Sequence, residues 1–234
     1  MITDIKAHVD QIPASVLSEG DQAYPAQSKL GQLFMADWKL RLLLAGKLWK
    51  VTVGTISGSA DITEITGGGA GTTIDLDLPE IAIGVGAGYY LIPVSIIVGC
   101  RVDMDANAEQ GAILAAIDRT LAVPVPTAST VETPLNLLDG GGSFPGVAYS
   151  AIITTPIADP TNEELLDYVT IIGSDNGTAG NLVSNQLRMC YEPAVPSLVA
   201  GPCGLYVYWG GTAAVTGIAA VIVGAVPTSW FPVS

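Results

Sequence analysis

Ile81–Asp105 reads IAIGVGAGYYLIPVSIIVGCRVDMD, and its first nineteen residues, Ile81–Gly99, carry no charge. A helix that crosses a bilayer needs roughly 20 consecutive apolar residues, so the run is either a membrane span or a pair of buried strands. Gly84, Gly86 and Gly88 stand at every second position, and Pro93 and Ser95 follow. Each glycine costs a helix about 1 kcal/mol relative to alanine, and an interior proline about 3 kcal/mol. Membrane helices tolerate both, so this weighs against a span without closing the case. The flanks are Glu80 on one side and Arg101, Asp103 and Asp105 on the other, which is no positive-inside pattern. A break at Gly86–Gly88 leaves two strands, Ile81–Val85 and Tyr90–Val102. Beyond Pro93 the second alternates, with Val94, Ile96 and Val98 on one face and Ser95, Ile97 and Gly99 on the other. Its end alternates charged and apolar residues, as a strand emerging into water does. Buried strands are therefore the reading taken forward.

Composition agrees with a packed β-body. The chain has 234 residues, enough for one large all-β domain. Charged residues are 13% of it, about half the usual share of roughly 25%. That is too few charges for a free-standing monomer surface, and it points to surface buried against other copies. Net charge is −13, unevenly spread: residues 29–50 hold Lys29, Lys39, Arg41, Lys47 and Lys50 against Asp37 alone, a local balance of +4. This segment is either a solvated basic helix face or a face toward a polyanion such as a genome or an anionic membrane. No charge appears in Pro193–Ser234. So neutral a chain end belongs in a core, in a subunit interface or against a membrane, in that order.

Residues 1–28 have little periodicity and read as an extended arm. The opening, MITDIKAHVDQIP, has neither the basic nor the apolar region of a signal peptide. Over residues 29–46 a basic amphipathic helix is predicted, capped by Ser28. Leu30, Leu33, Phe34, Trp38 and Leu42 form its apolar stripe, and Gly46 stands at the C′ position. Alternation takes over in LWKVTV, with Trp49, Val51 and Val53 on one face and Leu48, Lys50 and Thr52 on the other. Further strands are read at Asp61–Thr66, at Thr73–Leu78 with Ile74, Leu76 and Leu78 inward, and at Val147–Thr154. The others are Tyr168–Gly173, Gln186–Glu192, Gly204–Trp209 and Ala213–Val226. Asp105–Leu121 reads as a short helix or crossing followed by a strand. Asp139–Gly142 and Asp175–Gly177 read as turns, and Asp159–Leu166 as a capped helical turn. About ten short strands with no long repeat specify an antiparallel sandwich or barrel, most simply a jelly roll, over residues 47–234.

Chemistry is hard to find. The chain has one histidine, His8, in the arm, and three cysteines, Cys100, Cys190 and Cys203, with no CxxC pair. A catalytic triad or a zinc site needs more than this. The cysteines read as small buried hydrophobes, with a Cys190–Cys203 bridge as the alternative. Asp103 and Asp105 share one face of a strand and begin an EF-hand-like spacing, Asp103-x-Asp105-x-Asn107-x-Glu109. The spacing then departs from the pattern: Ala108 replaces the turn glycine and Leu114 the bidentate glutamate. The pair either solubilises a strand end or holds a calcium ion at a subunit contact. No other cofactor, no small-molecule substrate and no enzymatic activity is expected.

A neutral β-body over Leu48–Val226, few charges, an N-terminal arm with a small basic segment and many Gly/Pro turns together resemble the jelly-roll capsid proteins of icosahedral viruses and bacteriophages. The resemblance is one of strand pattern and carries no diagnostic motif. It implies a virion structural protein, made in the host cytoplasm, that self-assembles and contacts other virion proteins. It further implies that the arm 1–28 ties neighbouring subunits and that Lys29, Lys39, Arg41, Lys47 and Lys50 face the particle interior. Residues 193–234 would lie between subunits. Two other classes stay open: a β-sandwich adhesion or receptor-binding module of the phage-fibre type, and a membrane-associated protein using Ile81–Gly99.

Overall fold

The structure is a computed structural model that describes residues 38–56, 62–63, 65–66, 74–76, 78–104, 109–120, 123, 129–151, 163–173 and 183–230. One helix, α1 (Trp38–Leu44), leads into β1 (Leu48–Val53). Three two-residue strands follow, β2 (Thr55–Ile56), β3 (Ile62–Thr63) and β4 (Ile65–Thr66). The central stretch forms β5 (Ile81–Val85) and β6 (Tyr89–Met104), and β7 (Gln110–Asp118) comes next. The middle of the chain holds β8 (Thr130–Val131), β9 (Leu135–Asn136), β10 (Gly146–Ser150) and β11 (Glu163–Ile172). The last part holds β12 (Val183–Tyr191), β13 (Val199–Ala200), β14 (Cys203–Gly211) and β15 (Ala214–Pro227), before a 3-10 turn at Thr228–Trp230.

These strands make two large antiparallel sheets. The first has the order β12-β6-β15-β1-β9, with β13 also beside β6 and β4 beside β15; the second runs β11-β7-β14-β5-β10-β8. Setting aside β10 and the two-residue strands, eight strands remain. Their pairing is nested: β1 with β15, β5 with β14, β6 with β12 and β7 with β11. The first thus pairs the last, the second the seventh, the third the sixth and the fourth the fifth. Two further ladders, β6–β15 and β7–β14, close the sheets.

The inner faces share one core. Trp49, Val51, Ile96, Val98, Val221 and Val223 from the first sheet meet Ile83, Ile113, Ile117, Leu205, Val207 and Trp209 from the second. Burying each such side chain contributes about 1.5–3 kcal/mol, so this layer dominates the stability. Alternation in β1 is as the sequence predicts: Trp49, Val51 and Val53 are buried. Leu48 is buried as well, because α1 lies over the outer face of the first sheet, where Leu42 packs with Leu48, Tyr90, Ile92 and Val226. Much of the neutral segment is core: β14 and β15 are interior strands of the two sheets, and β14 is buried throughout.

Pro93 lies inside a sixteen-residue strand, where a ladder N–H is missing. The register with β15 shifts at that point: Ile222 faces Ser95 and Val223 faces Pro93, so Val94 bulges out. The helix ends as Gly46 predicts. Gly46 has φ +64°, its N–H donates to Leu43 O at 2.9 Å, and Lys47 N–H donates to Leu42 O at 2.8 Å. That is a Schellman cap. The helix is described over Trp38–Leu44; residues 29–37 of the predicted helix and the arm 1–28 lie outside the described residues.

Three expectations are corrected. The TIDLDL segment is no strand where it is described: Asp75 O accepts a turn bond from Leu78 N at 3.2 Å. Ile74, Leu76 and Leu78 do pack inward, but across the outer face of the second sheet, against Tyr149, Tyr206 and Tyr208. A segment crossing a sheet has no strand alongside it to pair with. Second, Glu163–Leu166 is not a helical turn. It opens the ten-residue strand β11, laddered to β7 from Glu163 opposite Asp118 to Ile172 opposite Gln110. Third, Cys190 is exposed, while Cys100 and Cys203 are buried, and none of the three is in a disulfide. Cys190 falls on the outer face of β12, between buried Met189 and half-buried Tyr191. Among the described residues no helix is long and apolar enough to cross a membrane.

Candidate assembly surfaces

Of the basic residues predicted to face a particle interior, the described ones fall on α1, the turn after it and β1. Lys39 Nζ pairs with Glu192 Oε1 at 2.5 Å, which ties α1 to the end of β12, and it stands 5.6 Å from the Trp38 ring centroid. Arg41 is exposed on α1. Lys47 stands 6.0 Å over Trp230, and Lys50 sits on β1 opposite Ile222. Lys29 lies outside the described residues. Asp103 Oδ2 is 3.3 Å from Arg101 Nε on the same strand, and Asp105 lies outside the described residues. Among the described residues no three His, Cys, Asp or Glu side chains group closely enough to hold a metal ion.

A cavity of about 470 Å³ opens between the end of α1, β1, the 138–145 turn and Trp230, lined in part by Lys47, Trp49, Tyr89 and Leu138. Its walls are held by a few polar contacts. Asn136 Nδ2 donates to Gly46 O at 3.0 Å and to Gly142 O at 2.9 Å, and Trp49 Nε1 donates to Gly142 O at 3.1 Å. Trp49 also meets Phe144 edge-on at 5.5 Å. Among its described lining residues there is no carboxylate, thiol or imidazole, so the cavity offers shape and aromatic surface rather than acid–base chemistry.

Buried polar groups serve the sheets. Glu80 accepts from Trp209 N at 2.7 Å, and Asp118 accepts from Thr120 N at 2.7 Å and from its hydroxyl at 3.0 Å. Ser150 Oγ donates to Glu132. Burial pushes the Cys203 thiol up to about 11 and the Tyr206 hydroxyl well above its ordinary value. Glu164 is held below the usual carboxylate range by the hydroxyl of Ser197 and by Arg119, against the opposing effect of its burial.

No protein-family model and no curated protein matches this chain.

What distinguishes the surface is apolar side chains at both margins of the sandwich. On one margin β11 ends the second sheet and β12 ends the first. There Leu165 (61% exposed), Tyr168 (46%) and Ile172 (66%) project from β11, and Val195 (86%) stands on the loop after β12. On the other margin β8 and β9 end the two sheets, and Val131 (73%), Leu135, Leu137 and Val147 are exposed. Low charge in the sequence signals such surfaces in general, but their position follows only from the strand order. The β11 margin was hidden because the strand was read in two pieces.

Proposed function

We propose that this chain is a jelly-roll subunit that assembles with further copies of itself into a shell, as a viral or bacteriophage capsid protein does. The observation that carries the reading is the nested pairing of eight strands, first with last through fourth with fifth, folded over into two facing sheets. Pairing nested in this way supports a jelly-roll winding, in which a long hairpin of four strand pairs wraps on itself. Apolar side chains on both lateral margins support assembly, because a subunit needs two distinct margins to continue a ring or lattice. A chain that is 13% charged, with a sealed core, has few other ways to use that surface. The arm 1–28 and the basic residues Lys29, Arg41, Lys47 and Lys50 are assigned to contacts with neighbours and with the particle interior; Lys39, paired to Glu192, serves the subunit itself.

A second reading is favoured by the aromatic cavity beside Trp230: an adhesion or receptor-binding module built on the same sandwich. The deciding experiment is the mass of the detergent-free protein by light scattering, with electron micrographs of the same fraction. Closed megadalton particles, or uniform pentamers or hexamers, are expected. A monomer or trimer that never assembles would overturn the shell reading and favour the binding module. Protein that stays in solution only with detergent would overturn both.

A further inference from the structure

Strand β11 has β7 on one side and, among the described strands, none on the other. An open edge of this kind is a template for pairing, and proteins usually guard it with charge, proline or a bulge. Here the two halves of the strand differ. The first half, Glu163–Asp167, is guarded. It holds three acids and a register shift between Leu165 and Asp167, and the Asp167 carboxylate accepts the neighbouring Tyr168 N–H at 2.9 Å. Glu164 is engaged by Arg119 and by Ser197. The second half, Tyr168-Val169-Thr170-Ile171-Ile172, has no charge, no proline and no irregularity.

The direction of its backbone groups follows from two bonds. Gly173 N–H donates to Glu109 O at 2.8 Å, toward β7, whereas Tyr168 N–H turns away from β7 to the Asp167 carboxylate. By the alternation of a strand, the main-chain groups of Thr170 and Ile172 face the open edge as Tyr168 does. Tyr168, Thr170 and Ile172 also carry the exposed side chains, while Val169 and Ile171 pack on the core. Gln110 Nε2 donates to Thr170 Oγ1 at 2.9 Å and steadies that row from β7.

We propose that Tyr168–Ile172 pairs antiparallel with the same five residues of a second copy, about a two-fold axis at Thr170. The sequence is self-complementary in this register. Tyr168 stands across from Ile172 of the other copy, twice by symmetry, and Thr170 across from Thr170. Aromatic against β-branched and threonine against threonine are favourable cross-strand pairs. Charge selects the register too: Asp167 meets a glycine, Gly173, and no acid faces an acid. For a chain of net charge −13, an uncharged stretch is where two copies approach at least cost. The contact is isologous and joins two second sheets into one continuous sheet.

The test uses the full chain. Thr170→Cys, in a Cys190→Ser background, is treated with a short bis-maleimide cross-linker, and Thr52→Cys serves as an exposed control on β1. Covalent dimer is expected from Thr170→Cys at a rate well above the control. In sedimentation, Ile172→Asp, at an exposed position, is expected to raise the dimer dissociation constant roughly tenfold or more, since symmetry introduces the charge twice. Added salt is expected to tighten the wild-type dimer by screening the like charges. Cross-linking no faster than the control would overturn the pairing, and that measurement stands even if Ile172→Asp folds poorly. The pairing and the shell reading separate cleanly. Particles whose Thr170→Cys thiols do not cross-link would sink the pairing alone, and a cross-linked dimer that never builds particles would sink the shell alone.

Discussion

The carboxylate of Glu80, buried in the second sheet, accepts the main-chain N–H of Trp209 at 2.7 Å. The β14–β5 ladder runs to Val207 opposite Ile81, and beyond it β14 has no partner on that side among the described strands. Glu80, the residue before β5, supplies the acceptor from its side chain while its own carbonyl accepts Ala151 N–H at 3.1 Å. Losing that acceptor and stranding a buried N–H costs about 1–3 kcal/mol. Glu80→Ala is therefore expected to lower the urea midpoint clearly. Glu80→Gln, which keeps a carbonyl oxygen, is expected to cost much less. Equal midpoints for the two variants would show that the Trp209 bond contributes little.

Tyr206 and Tyr208 sit two residues apart on the same outer face, both fully buried. Their hydroxyls differ. Tyr208 Oη donates to Leu76 O at 3.1 Å, whereas Tyr206 Oη has no hydrogen-bond partner among the described residues. A lost hydrogen bond costs about 1 kcal/mol, while removing a buried polar group that makes none is neutral or stabilising. Tyr208→Phe should thus destabilise by about 1 kcal/mol, and Tyr206→Phe should not destabilise at all. Burial, then the neighbouring Asp118 carboxylate, raises the Tyr206 hydroxyl above its ordinary value of about 10. A raised value in the folded state means that its stabilisation is complete below pH 10 and is lost as pH rises beyond. Tyr206→Phe should therefore flatten the alkaline limb of a stability-versus-pH curve measured by chemical denaturation.

Much of this architecture was legible in alternation. Leu187 and Met189 of β12 are buried and their neighbours Gln186, Arg188 and Cys190 exposed, as a two-residue period requires. β11 was illegible because its register shift leaves Leu166 and Asp167 both half-buried, which breaks the two-residue period, while Glu163 and Glu164 resemble the acidic first turn of a capped helix. TIDLDL failed in the opposite way: its alternation is real, but it serves a segment that crosses a sheet. Sheet order was beyond local pattern altogether, since Leu48 pairs with Gly224 across most of the chain. The exposed margins inherit that limit. Val131 and Leu165 are ordinary apolar residues until the order places them on opposite edges.

The three thiols should be told apart by reactivity. Cys190 is exposed, Cys100 is 4% exposed and Cys203 fully buried. Burial holds the Cys203 thiol near 11, so almost none of it is thiolate at neutral pH, and the thiolate is the reactive form. One thiol per chain is expected to react quickly with an aromatic disulfide reagent in native buffer, and three after denaturation. Peptide mapping should place the fast site at Cys190. Fast labelling of Cys203 in native protein would mean that the β14–β5 region opens readily.

Acid should weaken the β11 margin through Glu164. The Ser197 hydroxyl donates to its Oε1 at 2.5 Å, and the Arg119 guanidinium contacts its Oε2; of the two, the Ser197 bond lowers its value the more. A carboxylate held below its ordinary value of about 4.5 stabilises the fold fully above that pH. That contribution is lost as pH falls through the lower, folded-state value. The group is partly exposed, so the effect is small and lies below about pH 4.5. Ser197→Ala removes the largest stabilising contact and should move the titration of Glu164 upward, a shift readable by carboxylate-selective NMR. The variant should also lose stability at a higher pH than wild type. An unchanged titration would mean that Arg119 alone holds the carboxylate, and would detach the Val195–Leu198 loop from the edge of β11.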